Sequence, residues 1–98
     1  MYRVTSFKIV GPFSLEVSFD DGLKRTIDFS PVLKGELFGP LRNHETFEGV
    51  RIDPEARTLV WPNGADFDPA TLHDWPDVVD QLTAMADRWA DASSSEAT

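Results

Sequence analysis

Oxygen-bearing side chains gather just after the last predicted strand, and they are the first candidates for chemistry in this chain. Asn63, Asp66 and Asp68 follow the strand that ends at Trp61. Carboxylate and amide oxygens are the ligands that Ca²⁺ and Mg²⁺ prefer, so this loop is a candidate divalent-cation site. It lacks the alternating spacing and the final glutamate of an EF-hand loop. The competing interpretation is structural: Asn63-Gly64 forms a turn, and Asp68 caps the helical turn that follows.

A second acidic group surrounds a predicted hairpin. It consists of Asp20, Asp21 and Asp28, with Gly22 in the turn itself. Paired carboxylates act as general acid and base when their environments separate their pKa values. Asp-Asp-Gly is also ordinary turn chemistry, and Asp28 is placed to bond the backbone N–H groups that follow it. We favour the turn interpretation and assign no catalytic residue.

The remaining groups that take part in catalysis or metal binding are sparse. The chain has two histidines, His44 and His73, and no cysteine. No serine stands in a nucleophile-elbow motif, and nothing pairs a nucleophile with a base. We expect His73, beside Asp74 at a helix start, to be an exposed loop residue. The sequence therefore predicts no enzymatic activity and no cofactor.

Charge is distributed unevenly along the chain. Of the net charge of −8, residues 1–57 contribute −1, from nine acidic and eight basic residues. Residues 58–98 contribute −7, from eight acidic residues and Arg88. Such a field repels nucleic-acid phosphates and attracts basic proteins. We expect a basic protein partner and no direct contact with nucleic acid.

The composition also predicts a cellular setting. No apolar run approaches the length of a membrane span, and no basic segment followed by an apolar one opens the chain. The absence of cysteine suits a reducing compartment. We expect a cytoplasmic protein that does not contact membranes.

The elements that position these residues follow from local patterns. The length predicts one domain over residues 1–92, with a disordered tail over 93–98. Alternating apolar residues predict strands near 4–10, 15–19 and 23–29, then short strands near 50–52 and 58–61. We expect an α+β fold: a small curved antiparallel sheet of about five strands in a hairpin meander, with short helical turns. In the first of these turns, near 30–33, we expect Ser30 as the N-cap.

An amphipathic helix is predicted at the C-terminal end. Val78, Leu82, Met85 and Trp89 recur at helical spacing and form an apolar stripe. The favoured interpretation packs this stripe back on the sheet, and the alternative is a homodimer through the helix. Trp61 also has two interpretations. The favoured one is a core side chain, and the alternative is a surface anchor for a partner.

The order and spacing of several motifs resemble the small bacterial domain-of-unknown-function family 2442 over about residues 4–72. The motifs are Phe19-Asp20-Asp21-Gly22, Ile27-Asp28-Phe29, Pro40-Leu41, Phe47 and Trp61-Pro62-Asn63-Gly64-Ala65-Asp66. The resemblance implies an α+β fold with a small curved antiparallel sheet, and it carries over no catalytic residue. Some members of that family are fused to a helix-turn-helix domain, which we do not expect here because about two dozen residues follow Leu72. Others are encoded beside a protein of domain-of-unknown-function family 4160, an arrangement that resembles a toxin–antitoxin pair.

Together these observations predict a non-enzymatic protein-binding domain. It would be the acidic, antitoxin-like member of a two-component pair whose other member is a small basic protein encoded nearby. The predicted partner-binding residues are Trp61, Asn63, Asp66, Asp68, Asp20 and Asp21. The alternative is a small-ligand or divalent-metal binding domain that uses Asn63, Asp66 and Asp68.

Overall fold

The structure, a computed structural model, describes the backbone of residues 2–97 and the side chains of residues 2–90. Its strands are β1 (Val4–Gly11), β2 (Ser14–Phe19), β3 (Lys24–Asp28), β4 (Arg51–Ile52) and β5 (Leu59–Val60). Its α-helices are α1 (Gly35–Phe38), α2 (His44–Glu48), α3 (Pro69–His73) and α4 (Trp75–Ala97). Two 3-10 helices span Ser30–Val32 and Gly39–Arg42. The predicted α+β fold is confirmed, with the five strands divided between two antiparallel sheets.

The larger sheet has the order β1-β2-β3, and its central strand shows the predicted alternation. Leu15, Val17 and Phe19 are buried on one face of β2, while the residues between them are half-buried and polar. The turn after β2 reverses at Gly22, whose φ of +90° is accessible to glycine at little cost. Local sequence therefore suffices to specify this hairpin.

A side-chain cap starts one of the short helices, and a carboxylate bonds the first residue of another. Asn43 caps α2, because its side chain accepts a hydrogen bond from the Thr46 N–H at 3.2 Å. At the first 3-10 helix the expected Ser30 cap is wrong. The carboxylate of Asp28 instead accepts from the Ser30 N–H at 3.0 Å and from its hydroxyl at 2.8 Å. Asp28 therefore has the turn-forming role that we favoured over a catalytic role.

The core is built around a group of aromatic rings. Phe29 lies at its centre, with ring centroids of Phe47, Trp61, Phe67 and Trp75 between 5.2 and 5.9 Å away. All five side chains are buried. These rings join the end of β3 to α2, to the β5 loop and to the start of α4. The core thereby fixes where the sheet meets the helices.

Helix α4 packs on its own chain, mainly against α1 and the 3-10 helix Ser30–Val32. Ala86 is buried, and Trp89 stacks on Phe38 with a centroid distance of 5.4 Å. Lys34 and Asp87 form an ion pair beside this contact. The helix therefore covers the helical layer more than the sheet face, which differs from the expected packing.

The C-terminal end of α4 lies partly beyond what the structure describes. The backbone is helical to Ala97, whereas the side chains of residues 91–98 lie outside the described part. The predicted disordered tail over 93–98 falls on these residues and stays a prediction. Among the described residues, no helix is both long enough and apolar enough to cross a membrane.

Candidate functional site

The loop after β5 is held by the side chain of Asn63. Its Nδ2 donates to the carbonyl oxygen of Leu37 at 2.8 Å, and its Oδ1 accepts from the Ala65 N–H at 3.2 Å. The backbone closes the turn through bonds from Trp61 N to Ala65 O and from Gly64 N to Trp61 O, both 2.9 Å. Both polar atoms of the Asn63 side chain are thus used to shape the loop. The turn interpretation of Asn63-Gly64 is confirmed.

The two aspartates of this loop are exposed. Asp66 lies opposite Val60 in an isolated β-bridge, and Asp68 occupies the N-cap position of α3. The expected cap bond is missing, since the Asp68 side chain accepts none from the α3 backbone. Within the described residues, no three His, Cys, Asp or Glu side chains converge as metal ligands. The geometry adds no support to the divalent-metal alternative.

Trp61 belongs to the core, so the surface-anchor role is corrected. Its side chain is 1% exposed, and its Nε1 donates to the Phe47 carbonyl oxygen at 3.0 Å. A partner reaches this indole only if the core opens. The favoured sequence interpretation, a core side chain, is confirmed by this burial.

The hairpin aspartates are used for internal bonds. Asp20 Oδ1 accepts from the Arg3 N–H at 3.1 Å, which attaches the segment before β1 to the turn. Asp21 Oδ1 accepts from the Leu23 N–H at 3.0 Å, as expected of turn chemistry. The other oxygen of Asp21 bonds His73 Nε2 at 2.8 Å. Asp21 therefore also links the hairpin to a helix far along the chain.

His73 is the functional candidate that the sequence interpretation missed. It was expected to be an exposed loop residue, yet its side chain is only 13% exposed. Its Nε2 faces Asp21, and its Nδ1 faces Asp74 Oδ1 at 2.9 Å. The imidazole also stacks on Tyr2, with centroids 3.6 Å apart and planes 5° from parallel, and meets the edge of Phe19. We call Tyr2, Phe19, Asp21, His73 and Asp74 the His73 cluster.

The His73 cluster lies where the hairpin meets the junction of α3 and α4. His73 is the last residue of α3, and Asp74 separates the two helices. On the backbone side, Arg25 Nε donates to the His73 carbonyl oxygen at 2.7 Å. This bond explains a polar side chain on the inward face of β3, since Arg25 meets a helix end there. His73 is thus contacted by the β2–β3 turn, by strand β3 and by Asp74 at the helix junction.

The two carboxylates favour the charged form of the imidazole. The hydrogen bond to Asp74, followed by the bond to Asp21 and both negative charges, raises the pKa of His73 despite an opposing desolvation effect. The Leu23 N–H and then His73 lower the pKa of Asp21. Carboxylates accept hydrogen bonds, so the ring needs a proton on both nitrogens to bond both partners. The protonated ring has no free lone pair and is a poor general base.

Exposed carboxylates lie before and after this junction in the sequence. We call residues 66–87 the acidic segment; Asp66, Asp68, Asp77, Asp80 and Asp87 are its exposed acidic residues. Only Asp87 of these pairs with a described basic residue, Lys34. Of the predicted partner-binding residues, Asp66 and Asp68 thus remain available at the surface.

The fold and the site define a class: a small α+β domain with a run of exposed carboxylates between residues 66 and 87. A family model described as a protein of unknown function, DUF2442, matches residues 4–76. The chain therefore belongs to this family, as its motifs indicated. No curated protein and no solved structure matches the chain. The family match ends in the first turn of α4, so most of that helix lies outside it.

Proposed function

We propose that this protein is a non-enzymatic binding domain that recruits a basic protein through the acidic segment. The observation that carries the proposal is the set of exposed carboxylates on α4 and on the loop before α3. In the described part of the chain after residue 58, Arg88 is the only Lys or Arg that offsets them. Such a surface accelerates the approach of a positively charged partner and sets its orientation.

An apolar contact is also needed, because exposed charges contribute mainly to the association rate. Trp61 is buried, so another side chain must supply this contact. Asp77, Gln81 and Met85 are spaced four residues apart and are all exposed, so they form one stripe along α4. Met85 is 40% exposed, and methionine adapts well to irregular partner surfaces. We assign the anchoring contact to Met85.

The more specific form of the proposal is an antitoxin-like role in the cytoplasm. It rests on the resemblance to family members that are encoded beside a second small protein. A small basic protein of that kind suits the charge of the acidic segment. The cysteine-free composition suits a reducing compartment.

The test compares two charge variants of equal size in a pull-down from the native extract, followed by affinity measurement with the purified partner. Asp77→Asn/Asp80→Asn removes two charges from the acidic segment, and Glu48→Gln/Glu55→Gln removes two exposed charges elsewhere. The first pair should weaken binding by about 2- to 30-fold, because an exposed charge pair contributes about 0.2–1 kcal/mol. The control pair should bind as the unaltered chain does, and added salt should weaken all complexes.

A second comparison tests the anchor. Met85→Ala should shorten the lifetime of the complex, whereas Ile9→Ala, equally exposed at 40% but on β1, should leave it unchanged. Recovery of the chain without a small basic protein, or equal losses in both charge variants, would contradict the proposal.

A further inference from the structure

The His73 cluster combines a titratable ring with two carboxylates from separate parts of the chain. Asp21 comes from the β2–β3 turn, 52 residues before His73, and Asp74 lies at the α3–α4 junction. The Nε2–Asp21 bond therefore closes a long-range connection between the sheet and the helices. Histidine is also the side chain that most readily changes charge near neutral pH.

The ring has little freedom to turn away from its partners. Tyr2 covers one face at 3.6 Å, and Phe19 packs edge-on at 5.0 Å. A neutral imidazole has one N–H, so its other nitrogen would direct a lone pair at a carboxylate oxygen 2.8 or 2.9 Å away. Two acceptors at that distance repel each other. One of the two contacts must therefore open when the ring loses a proton.

We infer that His73 is a pH-sensitive switch: its protonated ring holds the α3–α4 junction on the β2–β3 hairpin, and loss of a proton releases Asp21. The neutral ring keeps Nδ1–H on Asp74, its neighbour in sequence, whose hydrogen bond is the largest cause of the raised pKa of His73. The other oxygen of Asp21 accepts from the Leu23 N–H, so the loss of the His73 contact also loosens the β2–β3 turn. This inference does not depend on the proposed partner binding.

Among the described residues, two carboxylates and one guanidinium meet His73. Asp21 and Asp74 favour the protonated ring, and the guanidinium of Arg25, which bonds the His73 carbonyl oxygen, places a positive charge nearby. Tyr2 contacts the ring through its π face. The carboxylates prevail, since the pKa of His73 is raised with Asp74 as the largest cause.

The two pKa directions define a pH window. A raised pKa for His73 means that its contribution to stability is complete below about pH 6.5 and is lost as the pH rises through the folded-state value. A lowered pKa for Asp21 means that its contribution is complete above about pH 3.9 and is lost on acidification. The cluster is therefore most stabilising between these limits and opens on the alkaline side.

The experiment is an NMR titration of the full chain carrying His44→Gln, so that His73 gives the only imidazole signals. We expect a midpoint above about pH 6.5, and a lower midpoint in both Asp21→Asn and Asp74→Asn. Above the midpoint, the ring ¹⁵N shifts should report a proton on Nδ1. The hydrogen-exchange protection factor of the Leu23 and Asp77 amides should fall across the same interval.

The Phe47 amide, which bonds the Asn43 carbonyl oxygen at 3.0 Å in α2, is the internal control and should keep its protection. A midpoint at or below about pH 6.5 would overturn the inference, as would a neutral ring protonated on Nε2. Equal changes at Phe47, Leu23 and Asp77 would also overturn it, because they would report general loosening. His73→Gln should remove the alkaline loss of melting temperature, and a loss unchanged from the His44→Gln chain would contradict the switch.

Discussion

Replacing Gly35 by alanine tests the packing of α4 on its own domain. Gly35 begins α1 with a φ of +81°, and a Cβ built there would lie 2.7 Å from the Cβ of Trp89. Two carbon atoms do not approach that closely, so α1 or α4 must move. Gly22 is a matched control: its φ is +90°, but a Cβ there meets nothing within 4 Å. The two substitutions share the backbone strain, and only Gly35→Ala adds the collision.

The expected losses of unfolding free energy follow from this difference. A non-glycine residue in the left-handed region costs about 1–2 kcal/mol, which is the whole effect expected for Gly22→Ala. Overpacking adds about 1–3 kcal/mol for Gly35→Ala, giving a total of about 2–5 kcal/mol. That total is a large fraction of the about 5–15 kcal/mol typical of a small domain.

Urea denaturation followed by circular dichroism measures both losses. Equal losses for Gly22→Ala and Gly35→Ala would refute the close contact between α1 and α4. The midpoint should also be independent of protein concentration, since α4 packs within one chain. A midpoint that rises with concentration would instead support the homodimer through the helix.

Three further substitutions test the core and one turn by the same assay. Trp61→Phe leaves the Phe47 carbonyl oxygen without its hydrogen-bond donor at 3.0 Å, so we expect a loss of unfolding free energy of about 1–3 kcal/mol or more. Trp89 is half-buried, so Trp89→Phe should cost less, and equal losses would contradict this. Arg57 has a φ of +55°, and Arg57→Gly should stabilise by up to about 1 kcal/mol, so a clear loss would argue against strain there. Thr58→Val removes a buried hydroxyl that bonds a backbone carbonyl, and we expect a loss of about 1–3 kcal/mol; an unchanged midpoint would disprove that bond.

Local patterns were sufficient for much of the fold. The alternation of Leu15, Val17 and Phe19 and the Asp21-Gly22 turn predicted the hairpin, because strand and turn preferences depend on neighbouring residues. The helical spacing after Asp74 predicted α4 for the same reason. The Ser30 cap was wrong because the Ser30 hydroxyl donates to Asp28, two residues earlier, instead of accepting from a helix N–H.

The candidate site was harder to predict from sequence. One signal for the His73 cluster was the neighbouring Asp74, which is compatible with an exposed loop. A second signal was Arg25 on an inward-facing position of β3, which implied a polar partner without naming it. Neither signal identifies Asp21 or Tyr2, because those contacts exist only after the hairpin meets the helix junction.

The sequence by itself determined the family, the α+β class, the hairpin, the amphipathic helix and the concentration of negative charge after residue 58. These properties follow from composition and from residues close together in the chain. The tertiary structure alone decided that Trp61 is buried, that Gly35 lies against Trp89 and that His73 joins Asp21 to Asp74. Each depends on segments far apart in sequence that meet when the core closes, and no local spacing encodes such a meeting.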